Sequence, residues 1–87
     1  MFVIEDEWHA EPLKGEFNTL EDAMNELRRL AKISWDQQPN LAPCTGWRHC
    51  GRKWEIIEYD ASVTPWKLLS KNPVLEIDAD GIRWLSN

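Results

Sequence analysis

The stretch Thr19-Leu20-Glu21-Asp22-Ala23-Met24-Asn25-Glu26-Leu27-Arg28-Arg29-Leu30-Ala31-Lys32 decides the fold of this chain. Leu20, Ala23, Met24, Leu27, Leu30 and Ala31 recur three and four positions apart, which lays one apolar stripe along an amphipathic helix. Thr19 with Asp22 three positions on fits the capping-box pattern, and Asn18 with Glu21 offers the same cap one residue earlier. Glu21 and Asp22 in the first turn and Arg28, Arg29 and Lys32 near the last complement the helix dipole at both ends. The helix is expected to run to about Lys32, before the polar run Trp35-Asp36-Gln37-Gln38 and Pro39.

No other segment has helical periodicity, so the rest must supply the sheet on which this stripe is buried. Phe2 to Trp8 alternates as a strand, with Phe2, Ile4 and Trp8 on one face and Val3, Glu5 and Glu7 on the other; Asp6 breaks the apolar face. His9 to Phe17 contains Pro12 and Gly15 and reads as a bend or an irregular edge hairpin whose second arm is Gly15-Glu16-Phe17. Ile33 to Arg52 holds Pro39, Pro43, Gly46 and Gly51 with no sustained period. A connection of that length is expected to be functional, locally stapled or to hide a short helical turn. Lys53 to Asp60 follows as a strand with Trp54 and Ile56 on one face and Ile57 and Tyr59 on the other, which places it inside the sheet. Beyond the turn at Ala61 to Pro65, Trp66 to Ser70 and Val74 to Asp78 read either as two strands or as one strand bent at Lys71-Asn72-Pro73. Asp80-Gly81 is a tight-turn signal leading into Ile82-Arg83-Trp84-Leu85. The expected architecture is a single α+β domain over residues 1–87, one helix packed on an antiparallel sheet of about four strands, ordered β-α-long loop-β-β-β.

Composition narrows the function classes. The chain has 87 residues, 43% of them hydrophobic and 29% charged, with a mean hydropathy of -0.55 and no long apolar run, which excludes a membrane-spanning helix. The opening Met1-Phe2-Val3-Ile4-Glu5-Asp6-Glu7 lacks the basic and apolar regions of a secretory signal, so a cytoplasmic location is expected. There Cys44 and Cys50 would be reduced thiols, and a structural disulfide is disfavoured. The net charge of -5 argues against a general nucleic-acid binder. That charge is uneven: residues 1–26 hold eight acids against Lys14 alone, residues 27–53 six bases against Asp36 alone, and residues 54–87 six acids against three bases. A basic middle suits an acidic protein patch or a small anion, unless the segments compensate one another in the fold.

The chemistry is concentrated in Pro39 to Trp54, which carries both cysteines, His49, Trp47, Trp54 and three of the ten Lys and Arg residues. Cys44, Cys50 and His49, with His9 brought in from the end of the first strand, supply the sulfur and nitrogen donors of a zinc site. The five residues between the cysteines are more than usual for paired ligands, and neighbouring His49 and Cys50 seldom face one ion. A reactive thiol is the second use, since Arg48, His49 and Arg52 surround Cys50, although no acid lies near in sequence to orient His49. Against both stands plain packing, in which free cysteine behaves as a small apolar residue. Trp47 with Arg48, and Trp54 with Arg52 and Lys53, resemble the aromatic and basic pairs that anchor partners. Trp8, Trp54 and Trp84 lie on expected strands and read as structural, whereas Trp35, Trp47 and Trp66 are the better candidates for exposure. No phosphate-binding glycine loop, nucleophile elbow or HExxH motif occurs.

The string Trp35-Asp36-Gln37-x-Pro39-Asn40-x-Ala42-Pro43-Cys44-x-x-Trp47-x-x-Cys50-Gly51-Arg52, followed by Glu55-Ile56-Ile57-Glu58-Tyr59-Asp60, resembles a group of small uncharacterised bacterial proteins. With Phe2-Val3-Ile4-Glu5-Asp6-Glu7-Trp8 the resemblance covers most of the chain. It implies a compact standalone bacterial domain and carries over no activity, cofactor or site residue. The residues thus lead to a non-enzymatic binding or adaptor module without a cofactor, with Trp47, Arg48, Arg52 and Lys53 as its contact surface. A zinc or reactive-thiol site at Cys44, Cys50, His49 and His9 is the alternative use of the same loop.

Overall fold

The computed structural model of the chain describes residues 1–44 and 50–85. Arg52–Asp60 forms β3, the middle strand of a five-stranded antiparallel sheet. On one side β3 pairs with β1 (Phe2–Asp6), in the register Phe2 opposite Glu58 and Asp6 opposite Trp54. On the other it pairs with β4 (Lys67–Asp78), and the sheet is completed by β2 (Glu11–Pro12) beyond β1 and β5 (Gly81–Trp84) beyond β4. Pairing along both edges places β3 inside the sheet, and α1 covers one of its two faces. Trp54 and Ile56 enter the core under the helix, while Ile57 is buried against the opposite side.

The helix α1 spans Leu20–Leu30, with Thr19 as its N-cap. Thr19 Oγ1 accepts a hydrogen bond from the Asp22 amide at 3.1 Å, so the cap falls at the later of its two expected positions. Ala23, Leu27 and Leu30 are buried against Ile4, Trp54, Ile56, Leu75 and Ile77, with Phe2, Leu13, Phe17 and Met24 closing the sides. Leu20, at the first turn, stays exposed. The helix stops two residues short of Lys32. Its last carbonyls instead bond Lys32 N and Ile33 N in tighter turns and the side chain of Asn40, whose Nδ2 donates to Leu30 O and Ile33 O at 2.9 Å each.

The single α+β domain is as expected, but the strand count and element order differ. A fifth strand, β2, stands between β1 and the helix, so the order is β-β-α-β-β-β rather than β-α-loop-β-β-β. Glu7–Ala10 form the turn, with Ala10 at φ 53°, and the returning arm begins at Glu11 rather than Gly15. Leu13 N donates to Ile4 O, and Phe2 and Phe17 exchange backbone hydrogen bonds, all at 2.8 Å. Pro12 is tolerated because β2 is an edge strand. Lys67 to Asp78 is one strand, not two. Its register against β3 shifts between Trp54 and Glu55 and again between Glu58 and Tyr59, leaving Val74 and Leu69 as extra residues that bend it beside Pro73.

The turn into β5 is one residue earlier than the Asp80-Gly81 signal suggests. Ala79 and Asp80 are its tip, and Gly81, at φ 125°, already pairs with Asp78. Among the described residues no helix is long and apolar enough to cross a membrane.

Candidate functional site

Asp6 ends β1 on the same face as Ile4, facing the core, where a carboxylate survives only if its oxygens are saturated. It is fully buried and accepts four hydrogen bonds. Oδ1 takes the amides of Trp8 and Lys53, both at 3.0 Å, which ties the start of the β1–β2 turn to β3. Oδ2 takes Arg52 Nη1 at 2.9 Å and His9 Nδ1 at 2.5 Å. The residue that interrupts the apolar face of the first strand is therefore the centre of a polar network.

An ionised carboxylate can only accept, so the His9 Nδ1–H donates to it and Nε2 faces outward from the network. Nε2 lies 3.1 Å from Cys44 Sγ and 3.4 Å from Cys50 Sγ. These three donor atoms all lie within 4.8 Å of one another, and among the described residues no other group of three His, Cys, Asp or Glu side chains converges in this way. Cys44 and Cys50 are joined as a disulfide with a Cα–Cα separation of 6.1 Å, which corrects the expectation of two unpaired thiols. The compartment argument concerned redox environment. The five-residue gap, wide for paired zinc ligands, corresponds here to two cysteines whose sulfurs meet.

The route of the connection between α1 and β3 explains that convergence. Gln37 N bonds Ser34 O and Leu41 N bonds Gln37 O, so two successive turns lie within it. Asn40, buried, then fixes the segment at both ends: its amide group donates to the helix terminus, and its Oδ1 accepts from Trp54 Nε1 at 3.2 Å. Leu41 O accepts from Arg52 Nη2 at 2.8 Å. Four residues past Asn40 stands Cys44. At the far end, Gly51 lies so close to β4 that a Cβ there would collide with Ile77 O and approach Asp78 Cβ to 2.7 Å. Only glycine lets Cys50 enter β3 along this path.

Arg52 is the other half of the network. Its side chain is 8% exposed and its guanidinium bonds Asp6, Glu11 and Leu41 O, while it stacks 5.4 Å above the Trp54 ring. Burial by itself would lower its pKa, but the hydrogen bonds it donates to Glu11 and Asp6 outweigh this and hold the guanidinium above its ordinary value. Its Nε has no partner among the described residues.

Of the expected contact residues, Arg52 is thus turned into the interior, and Lys53 is partly buried with its Nζ 3.8 Å from Glu7. Trp47, Arg48 and His49 lie outside the described residues. Of the expected zinc donors, His9, Cys44 and Cys50 come together. Trp8 and Trp84, read as structural, are 44% and 46% exposed, because Trp8 falls in the turn and Trp84 at the rim on the edge strand. Trp54 alone of the three is in the core. Asp6 and Asn40 were not singled out as site residues. The only sign of Asp6 was its polarity on an apolar face, and Asn40 gave none. Comparison of the chain with protein-family models, with curated proteins and with solved structures finds no match.

Proposed function

We propose that the chain is a small non-enzymatic binding module organised by a zinc site, in which the reduced thiolates of Cys44 and Cys50 and Nε2 of His9 are the protein ligands. The observation that carries this reading is the placement of one imidazole nitrogen against both sulfurs while its other nitrogen is held by a buried carboxylate. A histidine ligand typically donates its distal N–H to a carboxylate in this way, which fixes tautomer and ring orientation. Two sulfurs and one nitrogen are a donor set that favours zinc over calcium or magnesium. Tetrahedral zinc would hold such sulfur and nitrogen atoms about 3.5 Å apart. The observed separations of 3.1 and 3.4 Å lie close to that, and the two sulfurs, bonded to each other here, would have to part to about 3.8 Å to share the ion. Three protein ligands leave a fourth position for water or for a further side chain, of which His49 is the nearest in sequence.

Trp47 and Arg48, which stand between the two cysteines in the sequence, are the residues we assign to the contact surface. A protein patch or a small anion fits that pair better than nucleic acid, given the net charge of -5. A reducing cytoplasm would keep the thiols available. Metal analysis of protein purified under reducing conditions without added zinc, followed by titration with cobalt, tests the site. One equivalent of metal and sulfur-to-cobalt charge-transfer absorption are expected, and both should disappear in Cys44→Ser and His9→Ala. A reduced, folded protein that takes up neither metal would end the proposal.

A further inference from the structure

We infer that Cys44 and Cys50 form a reversible thiol–disulfide pair that governs whether the metal is held, so that the zinc site is a redox-responsive one. The inference rests on the zinc reading above and adds its regulation. The same two sulfurs that meet His9 Nε2 are bonded to each other in the structure. Their Cα separation of 6.1 Å falls within the range that disulfides span without backbone movement. A pair of zinc ligands converging on one imidazole must be similarly close, so one backbone arrangement serves both states.

The other half of the site is built independently of the sulfurs. Asp6 is anchored by Trp8 N, Lys53 N and Arg52, and it positions His9 through Nδ1. None of these bonds involves Cys44 or Cys50, so making or breaking the disulfide leaves the receptor for the metal intact. Both cysteines are half-buried rather than sealed in the core, which leaves them within reach of a small reagent.

The chemistry balances with a low-molecular-weight disulfide of the glutathione class as oxidant. One cysteine thiolate attacks the reagent, forming a mixed disulfide and expelling one reagent thiolate. The second cysteine thiolate then attacks the protein sulfur of that mixed disulfide, forming the Cys44–Cys50 bond and expelling the second reagent thiolate. Two electrons pass from the protein sulfurs to the reagent, and the zinc leaves as the hydrated dication because a disulfide sulfur carries no charge to bind it. A dithiol reductant reverses the exchange, restoring two thiolates as ligands.

The test starts from reduced, zinc-loaded protein, to which oxidised glutathione is added without oxygen. Free zinc is read with a chromophoric chelator, thiols with a thiol-reactive dye, and the product by intact mass. Zinc should appear in step with thiol loss, one ion for each pair of thiols, with the mass of the intramolecular disulfide, and should return to the protein after reduction. Zinc that stays bound after the disulfide forms, thiols that resist oxidation, or a reaction that stops at the mixed disulfide would each overturn the inference while leaving the metal site standing. Absence of zinc from the reduced, folded starting protein would instead overturn the metal reading, and this inference with it.

Linkage gives a second measurement. With free zinc buffered at about 100 times its dissociation constant, the glutathione ratio at half-oxidation should move about 100-fold toward more oxidising conditions. In His9→Ala that zinc dependence should vanish. An identical midpoint with and without zinc in the wild type would overturn the coupling.

Discussion

A single buried carboxylate organises the site, and its influence is measurable apart from the ligands. Asp6→Asn keeps the shape and loses the charge that fixes the His9 tautomer. Loss of such an outer partner generally weakens metal affinity about 10- to 100-fold. That range is the expected outcome for Asp6→Asn in a competition titration against a zinc chelator, with a far-ultraviolet spectrum confirming the fold. An affinity equal to the wild type would mean that Asp6 merely pairs with Arg52. Asn40 is the structural counterpart, since it joins the helix end to Trp54 through three hydrogen bonds. Asn40→Ala strands the Trp54 indole N–H and two backbone carbonyls, and each buried group left unpaired costs about 1–3 kcal/mol. A total loss of about 3 kcal/mol in urea unfolding is expected, with water replacing part of what is removed. The two residues differ in how legible they were. Asp6 announced itself by breaking an alternating apolar face, whereas its partners Lys53 and Arg52 lie far along the chain, and sequence spacing says nothing about pairings that only β1–β3 register creates.

Elements were legible where a local rule governs them and obscure where a neighbouring element decides. The helix stripe, its Thr19 cap and the central position of β3 follow from periodicity and capping, and all three are present. The returning arm of the first hairpin was misplaced because Pro12 looks like a breaker, yet an edge strand tolerates it. The bend in β4 rests on bulges at Leu69 and Val74 that only its pairing with β3 defines. Two predictions belong here. Gly51→Ala should displace the start of β3 from β4 and misalign Cys50, because the collision is with backbone and cannot be relieved by a rotamer. A lower melting temperature is expected together with slower intramolecular disulfide formation; unchanged oxidation would show that the path of Cys50 does not depend on this contact.

The second concerns Glu55, buried on the face of β3 away from the helix and surrounded by Glu7, Lys71, Glu5 and Lys53. Burial, reinforced by Glu7, raises its pKa above 4.5, with Lys71 acting in the other direction. The folded state therefore holds this proton more tightly than the unfolded chain. The stability it contributes is complete below the ordinary glutamate value and is lost as pH rises through the raised one. Glu55→Gln should flatten that decline in urea melts across the window and be more stable than the wild type above it. A parallel decline in both proteins would assign the effect to other groups.

At the scale of the molecule, one helix on one face of a five-stranded sheet gives a modest core, and the described stretch from Ala31 to Cys44 is tied to it through Asn40. Domains of this size gain appreciably from a covalent or metal staple. The fold class was readable because one amphipathic stripe among alternating segments admits little else, but the state of the staple was not, since spacing does not reveal where sulfurs meet. Here the staple closes a small ring, with Cys44 and Cys50 six positions apart. Chain entropy assigns a ring of that size about 2 kcal/mol. The connection is also held by Asn40 and by Leu41 O on Arg52, neither of which needs the sulfurs. Reduction in the presence of a chelator should therefore lower the melting temperature by about 10 °C without unfolding the sheet. Hydrogen exchange should accelerate at the amides near Cys44 and Cys50 while those of β3 within the core remain protected. Zinc added to the reduced chain should recover most of the lost stability, because a metal bound only by the folded state stabilises it by mass action. Global unfolding on reduction would instead make the covalent bond a condition of folding, and recovery by zinc would then distinguish a metal staple from a purely oxidative one.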